Sequence, residues 1–296
     1  MSALTQQLAN GVALGSVFAL YALGFSLVLA NLRVFNLAHA AVFTWGAIVA
    51  WRLVDGFGIP LVLAIPATAV VSGLLNVACY LLLVSHLERR KNKELAGFIS
   101  TLGGFIVLTE AALLYLDRRA VRLPSDSFPS ATWDLGLFRI NSIQVLILLV
   151  TVVVFLAYRW LLRSTSLGRS IRTAAFDEEV ARLMGINARG VSAVVFFISG
   201  ATAGLGAVLV AMAFTVIDGK LGSAYLITAI AVMVIGGFGS MSGVFVGGIL
   251  VGVVSTTTTA YISSSYRDVV IFGVLLVFLV ARPTGLFRGS DVEERV

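Results

Sequence analysis

The chain is a succession of apolar runs, most of them about twenty residues long, with short polar stretches between them. An α-helix needs about 20 apolar residues to cross the hydrocarbon core of a bilayer. Only 12% of the residues are charged, whereas soluble domains carry about 25%. So few charges could not cover this much apolar surface in water, so the pattern predicts lipid as the main solvent and excludes a soluble or disordered protein.

The runs predict an all-α, polytopic membrane protein that forms a single domain over residues 1–296. The crossings are expected at residues 9–30, 36–54, 60–85, 95–116, 141–162, 191–216, 224–238, 243–262 and 267–281. The stretches 36–54 and 224–238 could instead be re-entrant or broken helices, so the expected count is eight or nine. The first Lys or Arg is Arg33, so the first apolar run is predicted to remain a membrane helix rather than a cleaved signal.

The basic residues predict the orientation, because Lys and Arg are retained on the cytoplasmic side of a membrane. Nine crossings place Arg33, the loop 163–190 and the tail 282–296 on one side, with 14 of the 21 Lys and Arg residues. Besides Arg33, that side holds Arg89, Arg90, Lys91, Lys93, Arg159, Arg163, Arg169, Arg172, Arg182, Arg189, Arg282, Arg288 and Arg295. It is predicted to be cytoplasmic, and the loop 117–140 to lie outside. Orientation thus accounts for the net charge of +6 without a nucleic-acid partner.

The 29 glycines follow two patterns. Pairs spaced by four residues, such as Gly11 with Gly15 and Gly248 with Gly252, remove side chains from one helix stripe and let two helix backbones approach closely. The run Gly236-Gly237-Phe238-Gly239 is too flexible for a helix interior. It predicts a tight turn or a helix break at membrane depth.

The polar stretch 163–190 has the pattern of a short helix rather than of a linker. Asp177 is a candidate N-cap, and Gly185 fits a left-handed stop at the C-terminus. Between them an apolar stripe is formed by Phe176, Val180, Leu183 and Met184. Such a helix could pack on the membrane surface or on its own bundle, or it could dock in a groove on another subunit.

No catalytic or cofactor-binding constellation is found in the sequence. The two histidines, His39 and His86, and the single Cys79 form no set with metal-ligand spacing. The chain has no phosphate-binding P-loop, because Gly219-Lys220 lacks the remaining residues of that motif. We therefore expect no cofactor and no enzyme activity in this chain, and any ATP hydrolysis would reside on another chain.

Ionisable groups inside apolar runs are functional candidates, because lipid makes them costly. Glu110 lies within GGFIVLTEAALLY, and His39 follows Asn36 at the start of the second run. Glu110 could instead be interfacial, and His39 could be a hydrogen-bonding residue at a helix end.

Five segments in order resemble the permease subunits of branched-chain amino-acid type (LivH-like) ABC importers. They are NGVALGSVFALYALGFSLVLANLRVFNLAHA, GFISTLGGFIVLTE, SLGRSIRTAAFDEEVARLMGINARGV, AVMVIGGFGSMSGVFVGGILVGVV and YRDVVIFGVLLVFLVARPTGLF. The resemblance implies a bacterial plasma (inner) membrane location and four kinds of contact. These are ABC ATPase subunits, a second homologous permease, a periplasmic or extracellular substrate-binding protein, and the lipid bilayer.

The resemblance also implies roles for individual residues. The segment from Ala174 to Ile186 would be the coupling helix that touches the ATPase, with the contact residues Ala174, Phe176, Glu179, Val180, Ala181, Leu183, Gly185 and Ile186. The candidate translocation path comprises Asn36, His39, Ser100, Thr101, Glu110, Thr228, Gly236, Gly237 and Gly239.

Departures from the family pattern fall on or beside these path positions. The family usually reads Ala-His-Gly-Glu where this chain has Ala38-His39-Ala40-Ala41, and it often has a lysine where Thr228 stands and an amide near Glu110. The solute therefore stays open among branched-chain amino acids, urea, short amides and other small polar or aromatic solutes.

Two other classes of protein are less consistent with the sequence. A self-sufficient secondary transporter needs buried charges near the midplane, but only Glu110, Asp218 and Asp268 are available and all lie near predicted ends. It would also have no use for the cytosolic helix. A membrane scaffold would not need glycine breaks in several spans.

Overall fold

The computed structural model describes residues 3–87, 92–124, 128, 131–134, 136, 138–214, 216–282 and 284–287. The α-helices in order are α1 (Ala3–Leu32), α2 (Ala38–Trp51), α3 (Leu61–Cys79), α4 (Lys93–Tyr115), α5 (Ser142–Ser164), α6 (Ser166–Phe176), α7 (Glu178–Leu183), α8 (Ala188–Phe214), α9 (Leu221–Gly236), α10 (Met241–Tyr261) and α11 (Arg267–Ala281). Helices α2 and α3 each continue into a π-helical turn, Arg52–Gly56 and Tyr80–Val84, and a 3₁₀ turn, Ser264–Tyr266, precedes α11. A small antiparallel hairpin joins β1 (Thr132–Asp134) to β2 (Arg139–Asn141).

Seven helical segments in the described part of the chain are long and apolar enough to cross a membrane. They are α1, α3 with its π-helical turn, α4, α5, α8, α10, and α11 together with the 3₁₀ turn before it. Helices α2 and α9 are apolar but have only 14 and 16 residues. The prediction of an all-α polytopic protein is thus confirmed, apart from the hairpin. The expected eight or nine segments are the seven long helices plus the two short ones, whose status the sequence left open.

The shorter of these two helices, α2, lies inside the molecule. Helix α2 packs against α3, α4, α8 and α9, and most of its residues are buried. Protein rather than lipid therefore surrounds α2. Polar side chains such as His39 and Thr44 can be accommodated there because neighbouring helices supply hydrogen-bond partners.

Successive membrane segments run in alternate directions between two ends of the molecule. At the end that holds α6 and α7, hereafter the loop end, one cavity is lined by Arg33, Leu87, Lys93 and Ala188, which follow or begin four different segments. At the end that holds β1 and β2, hereafter the hairpin end, Val121 pairs with Ile217 and the Arg52 Nε donates to the Tyr115 hydroxyl at 2.6 Å.

The basic residues divide between these ends. Of the group predicted to be cytoplasmic, Arg33, Lys93, Arg163 and Arg172 line two cavities at the loop end. Arg89, Arg90, Lys91, Arg288, Arg295 and the outer-loop residue Ser125 lie outside the described residues.

The glycine pairs bring helix backbones into contact, as their spacing predicted. Helix α1 runs along α10, and a Cβ placed on Gly252 would overlap the backbone of Gly15. Helix α8 approaches α3 in the same way, because a Cβ on Gly200 would meet the Ser72 carbonyl oxygen at 2.5 Å. These contacts require glycine, so the glycines specify which helices pair.

The run that begins at Gly236 forms a tight turn between α9 and α10. Gly237 has φ +100° and Gly239 has φ +76°, and both values lie in the region that favours glycine. The Ser240 Oγ then accepts from the Gly243 N–H at 3.1 Å and caps α10. The segment after α11 covers the turn, because the Leu286 N–H donates to the Ile235 carbonyl oxygen at 2.8 Å.

Candidate functional site

The turn between α1 and α2, residues 33–37, is tied to the molecule by buried side-chain amides. The Asn36 Nδ2 donates to the Asn76 Oδ1 at 3.3 Å, and the Asn76 Nδ2 donates to the Phe196 carbonyl oxygen at 2.7 Å. This chain of bonds links the turn to α3 and to α8. Buried polar groups are costly unless they are paired, so the bonds hold the turn in one position.

Helix α4 is joined to the same turn through Thr101. The Thr101 hydroxyl lies 3.0 Å from the Phe35 carbonyl oxygen, to which it can donate, and it accepts from the Leu37 N–H at 3.4 Å. Thr101 is fully buried. A movement of α4 would therefore displace the α1–α2 turn through these two bonds.

His39 is buried in the first turn of α2, and both of its ring nitrogens are engaged. The Nε2 lies 3.3 Å from the Tyr21 carbonyl oxygen, and the Nδ1 lies 3.1 Å from the Ser199 hydroxyl. A carbonyl oxygen only accepts, so the Nε2 carries the proton and the neutral ring accepts from Ser199 at Nδ1. The Tyr21 ring stacks on the imidazole with centroids 5.2 Å apart. Gly24 gives the ring its space, because a Cβ there would meet the His39 Cε1 at 2.8 Å.

The structure brings together only some of the predicted path residues. Asn36, His39 and Thr101 meet around the α1–α2 turn, and Ser100 is half-buried beside Thr101. Thr228 is buried in α9. The other path residues lie towards the ends of the molecule: Gly236, Gly237 and Gly239 form the turn at the loop end, and the exposed Glu110 pairs with Arg118 at 3.4 Å near the hairpin end.

Asn36, His39 and Thr101, with the residues that they contact, form the polar cluster. Three of its members were not predicted from the sequence: Tyr21, Asn76 and Ser199. Asn76 carried a usable signal, because an asparagine within an apolar span commonly bonds across helices. Tyr21 and Ser199 did not, since a backbone carbonyl and a lone hydroxyl are unremarkable in sequence.

The predicted coupling helix has the predicted ends. The Asp177 Oδ1 accepts from the Glu179 and Val180 N–H groups at 2.8 and 3.1 Å, which caps α7. Gly185 has φ +79° and ends the helical segment. The sequence predicted one short helix here and did not predict α6, whose last residue is Phe176. Asp177 has an extended backbone and separates α6 from α7.

The apolar stripe, which runs from Phe176 at the end of α6 along α7 to Met184, points away from the protein. Phe176 is 68% exposed, Leu183 85% and Met184 71%, and Val180 is also exposed. Ala181 on the opposite face is buried, while Ala174 and Ile186 are half-buried against the helices of the loop end. The idea that the stripe packs on its own bundle is therefore wrong for the described residues.

An ion pair connects α7 to the membrane helix α4. The Glu178 carboxylate lies 3.3 Å from the Lys93 Nζ at the start of α4, and it also pairs with Arg182 one turn along α7. An exposed ion pair is worth about 1 kcal/mol or less. Its contribution here is to set the orientation of α7 relative to α4.

The hairpin at the opposite end was not predicted. The Asp134 carboxylate accepts from the Gly136 N–H at 3.0 Å and from the Arg139 Nε at 3.2 Å. These bonds, the backbone one first, hold the pKa of Asp134 below its usual range. The Arg139 carbonyl oxygen accepts from the Gln6 Nε2 at 2.9 Å, which attaches the hairpin to α1.

Comparisons with known proteins agree with this architecture. The sequence profile of the family described as "Branched-chain amino acid transport system / permease component" matches residues 7–279. The chain is 32% identical to the high-affinity branched-chain amino acid transport system permease protein LivH of Salmonella typhimurium over 300 residues, which cover 98% of this chain and 97% of the relative. LivH of Escherichia coli K12 gives the same identity and coverage. The corresponding permease protein BraD of Pseudomonas aeruginosa is 30% identical over 98% of this chain and 97% of its own.

Proposed function

The chain belongs to the family of branched-chain amino acid transport system permease components, and we propose that it forms the path for a branched-chain amino acid or a related small solute through an ABC importer. It is a multi-pass membrane transport subunit rather than an enzyme. The exposed apolar stripe on α7 is the observation that most supports an importer powered by another chain, because four apolar side chains at the loop end need a partner to cover them.

We infer a complex of this chain with a second permease, ABC ATPase subunits and a substrate-binding protein in the bacterial plasma membrane. The loop end would face the cytoplasm and the ATPases, and the hairpin end would face the binding protein. The predominance of basic residues at the loop end supports this orientation.

The contacts supply a route from the ATPase to the polar cluster. A partner that moves α7 would pull on Glu178, which pairs with Lys93 at the start of α4. Helix α4 would in turn move Thr101, which bonds to the α1–α2 turn. The turn holds Asn36 and precedes His39, so the cluster would be displaced when nucleotide binds. This is a rearrangement of packed helices biased by a ligand on another chain.

Uptake into proteoliposomes tests the proposal. The complex is reconstituted with its partner chains, and entry of labelled leucine, urea and a short amide is measured with the binding protein outside and ATP enclosed. We expect uptake of one solute class that needs hydrolysable ATP and stops when the P-loop lysine of the ATPase is replaced. Uptake by this chain alone, driven by an ion gradient, would favour the secondary transporter instead.

The orientation can be measured separately by labelling single cysteines in a Cys79→Ala background. We expect cysteines at Arg172 and Lys91 to react only from the cytoplasm, and a cysteine at Ser125 only from outside. The reason is the distribution of the basic residues. Labelling of position 125 only from the cytoplasm would reverse the topology.

Replacing His39 tests the polar cluster. His39→Leu would leave the Ser199 hydroxyl and the Tyr21 carbonyl oxygen without the ring, a cost of about 1–3 kcal/mol for buried groups. We expect uptake to fall several-fold while the complex still assembles, as measured by co-purification with the ATPase. His39→Gln, which retains a donor and an acceptor, is the matched control and should retain more activity. Full uptake by His39→Leu would reduce the role of His39 to packing.

A further inference from the structure

The β1–β2 hairpin has one apolar and one polar face. Residues opposite each other in an antiparallel pair share a face of the sheet, and neighbours along a strand alternate between the faces. Trp133 lies opposite Ile140 and forms the apolar face with it. Asp134 lies opposite Arg139, and their side chains bond on the other face at 3.2 Å. The proposed transport role accounts for neither face.

Side-chain amides fix the orientation of the hairpin. The Gln6 Nε2 donates to the Arg139 carbonyl oxygen at 2.9 Å, and the Gln6 Oε1 accepts from the Arg139 N–H at 2.8 Å. The Gln6 amide therefore pairs with β2 as a neighbouring strand would. The Asn10 Oδ1 accepts from both Gln6 and Gln144, at 3.1 and 2.9 Å, which joins α1 to α5 beside the hairpin. Because the hairpin cannot turn over without breaking these bonds, its apolar face has a fixed direction.

The hairpin lies at the level where α5 enters the membrane. Ile140 is the second residue before Ser142, the first residue of α5. Helix α5 has 23 residues and is therefore about 34 Å long, slightly more than the thickness of the hydrocarbon core. Its first residues thus lie near the lipid headgroups. Val145 in its first turn is already exposed, so the exposed apolar surface of α5 begins one turn after the hairpin ends.

Exposed aromatic side chains mark the same end of other membrane helices. Trp133 is 49% exposed. Tyrosines at the ends of α4 and α10 and just before α11 are exposed as well, namely Tyr115, Tyr261 and Tyr266. Tryptophan and tyrosine concentrate at the membrane–water interface, where the ring is in contact with lipid and the polar atom reaches water. The level of Trp133 is therefore the level at which its side chain is most favourable.

We propose that the apolar face of the hairpin, Trp133 with Ile140, inserts into the headgroup region of the bilayer and anchors the adjoining ends of α1 and α5 there. A lipid surface suits this face better than a protein partner. A stable protein–protein interface buries about 800 Å² on each partner, and two side chains do not supply that area. The charges of Asp134 and Arg139 also pair with each other, so they do not require a charged partner.

Photocrosslinking in the reconstituted complex measures the contact with lipid. The photoreactive residue p-benzoylphenylalanine replaces Trp133 in one protein and Thr132 in another, and each complex is placed in vesicles of phosphatidylcholine and phosphatidylglycerol. After irradiation, mass spectrometry of the intact chain counts the lipid adducts. We expect several-fold more lipid adduct at position 133 than at position 132. Position 132 is the matched control, because it is also exposed and adjoins Trp133 on the opposite face of the same strand.

Three results would overturn the proposal. Equal lipid adducts at positions 133 and 132 would show that the two faces do not differ in their contact with lipid. An absence of lipid adduct at position 133 would show that this face does not reach the bilayer. A crosslink from position 133 to the substrate-binding protein, in place of lipid, would assign the face to that partner.

Replacing Trp133 tests whether its ring anchors the hairpin. With the photoreactive residue at position 140, on the same face, Trp133→Ser should lower the lipid adduct several-fold. Trp133→Tyr retains an aromatic ring with a polar atom and is the matched control, so it should keep most of the adduct. An unchanged adduct in Trp133→Ser would contradict the anchoring role.

Gln6→Ala tests the fixed direction of the hairpin, because it removes the two bonds to the Arg139 backbone. We expect lipid adducts to appear at position 132 in this variant, and their absence would contradict the role of Gln6. If Trp133→Ser fails to accumulate, the comparison of positions 133 and 132 still tests the contact, because an aromatic ring stays at position 133 in both proteins. Transport is not measured, so failure of this proposal leaves the proposed function untouched.

Discussion

A Leu183→Glu substitution is expected to abolish solute uptake and solute-stimulated ATP hydrolysis together, without removing the protein from the membrane. Leu183 is 85% exposed at the end of α7 and contributes little to the fold of this chain. A helix held in a groove depends on a few buried anchors, and loss of one commonly costs about 2 kcal/mol or more. A carboxylate in the groove adds a desolvation penalty. Leu183→Met keeps the anchor apolar and is the matched control.

A second set of variants tests the orientation of α7 rather than the apolar contact made by Leu183. No atom lies within 4 Å of a Cβ at Gly185, but its φ is +79°. A β-branched residue there is strained only through the backbone, so Gly185→Val should re-aim α7 and reduce both activities. Gly185→Asn tolerates the left-handed conformation and should be milder. Glu179→Lys reverses a charge beside the stripe and should also lower both activities.

Uptake and ATPase rates, measured in purified and reconstituted complexes, test whether α7 couples this chain to the ATPase. Normal values for Leu183→Glu, Gly185→Val and Glu179→Lys alike would mean that α7 only lies on the membrane surface. The coupling role of this helix would then have to be withdrawn.

The membrane helices could be located from the sequence because their signal is local. The predicted segments 141–162 and 191–216 correspond to Ser142–Ser164 and Ala188–Phe214. Helix α1 already includes Ala3, upstream of the predicted start at residue 9, because Gln6 and Gln7 are polar but form helix readily. A hydropathy pattern reports the apolar part of a helix and not its hydrogen-bonded length.

The caps and turns were predictable for a different reason. Asp177, Gly185 and Gly237 act on the backbone within three residues of their own position. The residue type alone is therefore sufficient to predict the cap or the turn. The β1–β2 hairpin was missed because its strands have three residues each. That is too short for an alternating pattern to be distinguished from a loop.

The polar cluster could not be assembled from the sequence. Asn36 meets a partner 40 positions away, and His39 meets one 160 positions away. No periodicity connects such positions, and a polar residue in an apolar span does not indicate which residue it will contact. Glu110 and His39 therefore looked alike in sequence, although one is exposed beside Arg118 and the other is fully buried.

Gly252→Leu is expected to prevent stable accumulation of the protein in the membrane. Leucine is a better helix former than glycine by nearly 1 kcal/mol, so propensity alone predicts stabilisation. At Gly252 the side chain would enter the backbone of Gly15 on α1. Overpacking in a well-packed core costs typically 1–3 kcal/mol and more where backbones must separate. The packing effect should therefore reverse the sign that propensity predicts.

Gly103 and Gly273 supply the controls, because a Cβ on either helical glycine meets no atom within 4 Å. Gly103→Leu and Gly273→Leu should leave the thermal midpoint of the detergent-solubilised protein unchanged or slightly raised. Gly15→Leu should resemble Gly252→Leu, since a Cβ on Gly15 would also enter the backbone of α10, at the Gly248 carbonyl oxygen. If Gly252→Leu accumulates and melts like Gly273→Leu, α1 and α10 do not approach as closely as described. The glycine spacing would then be a feature of composition rather than the element that pairs these helices.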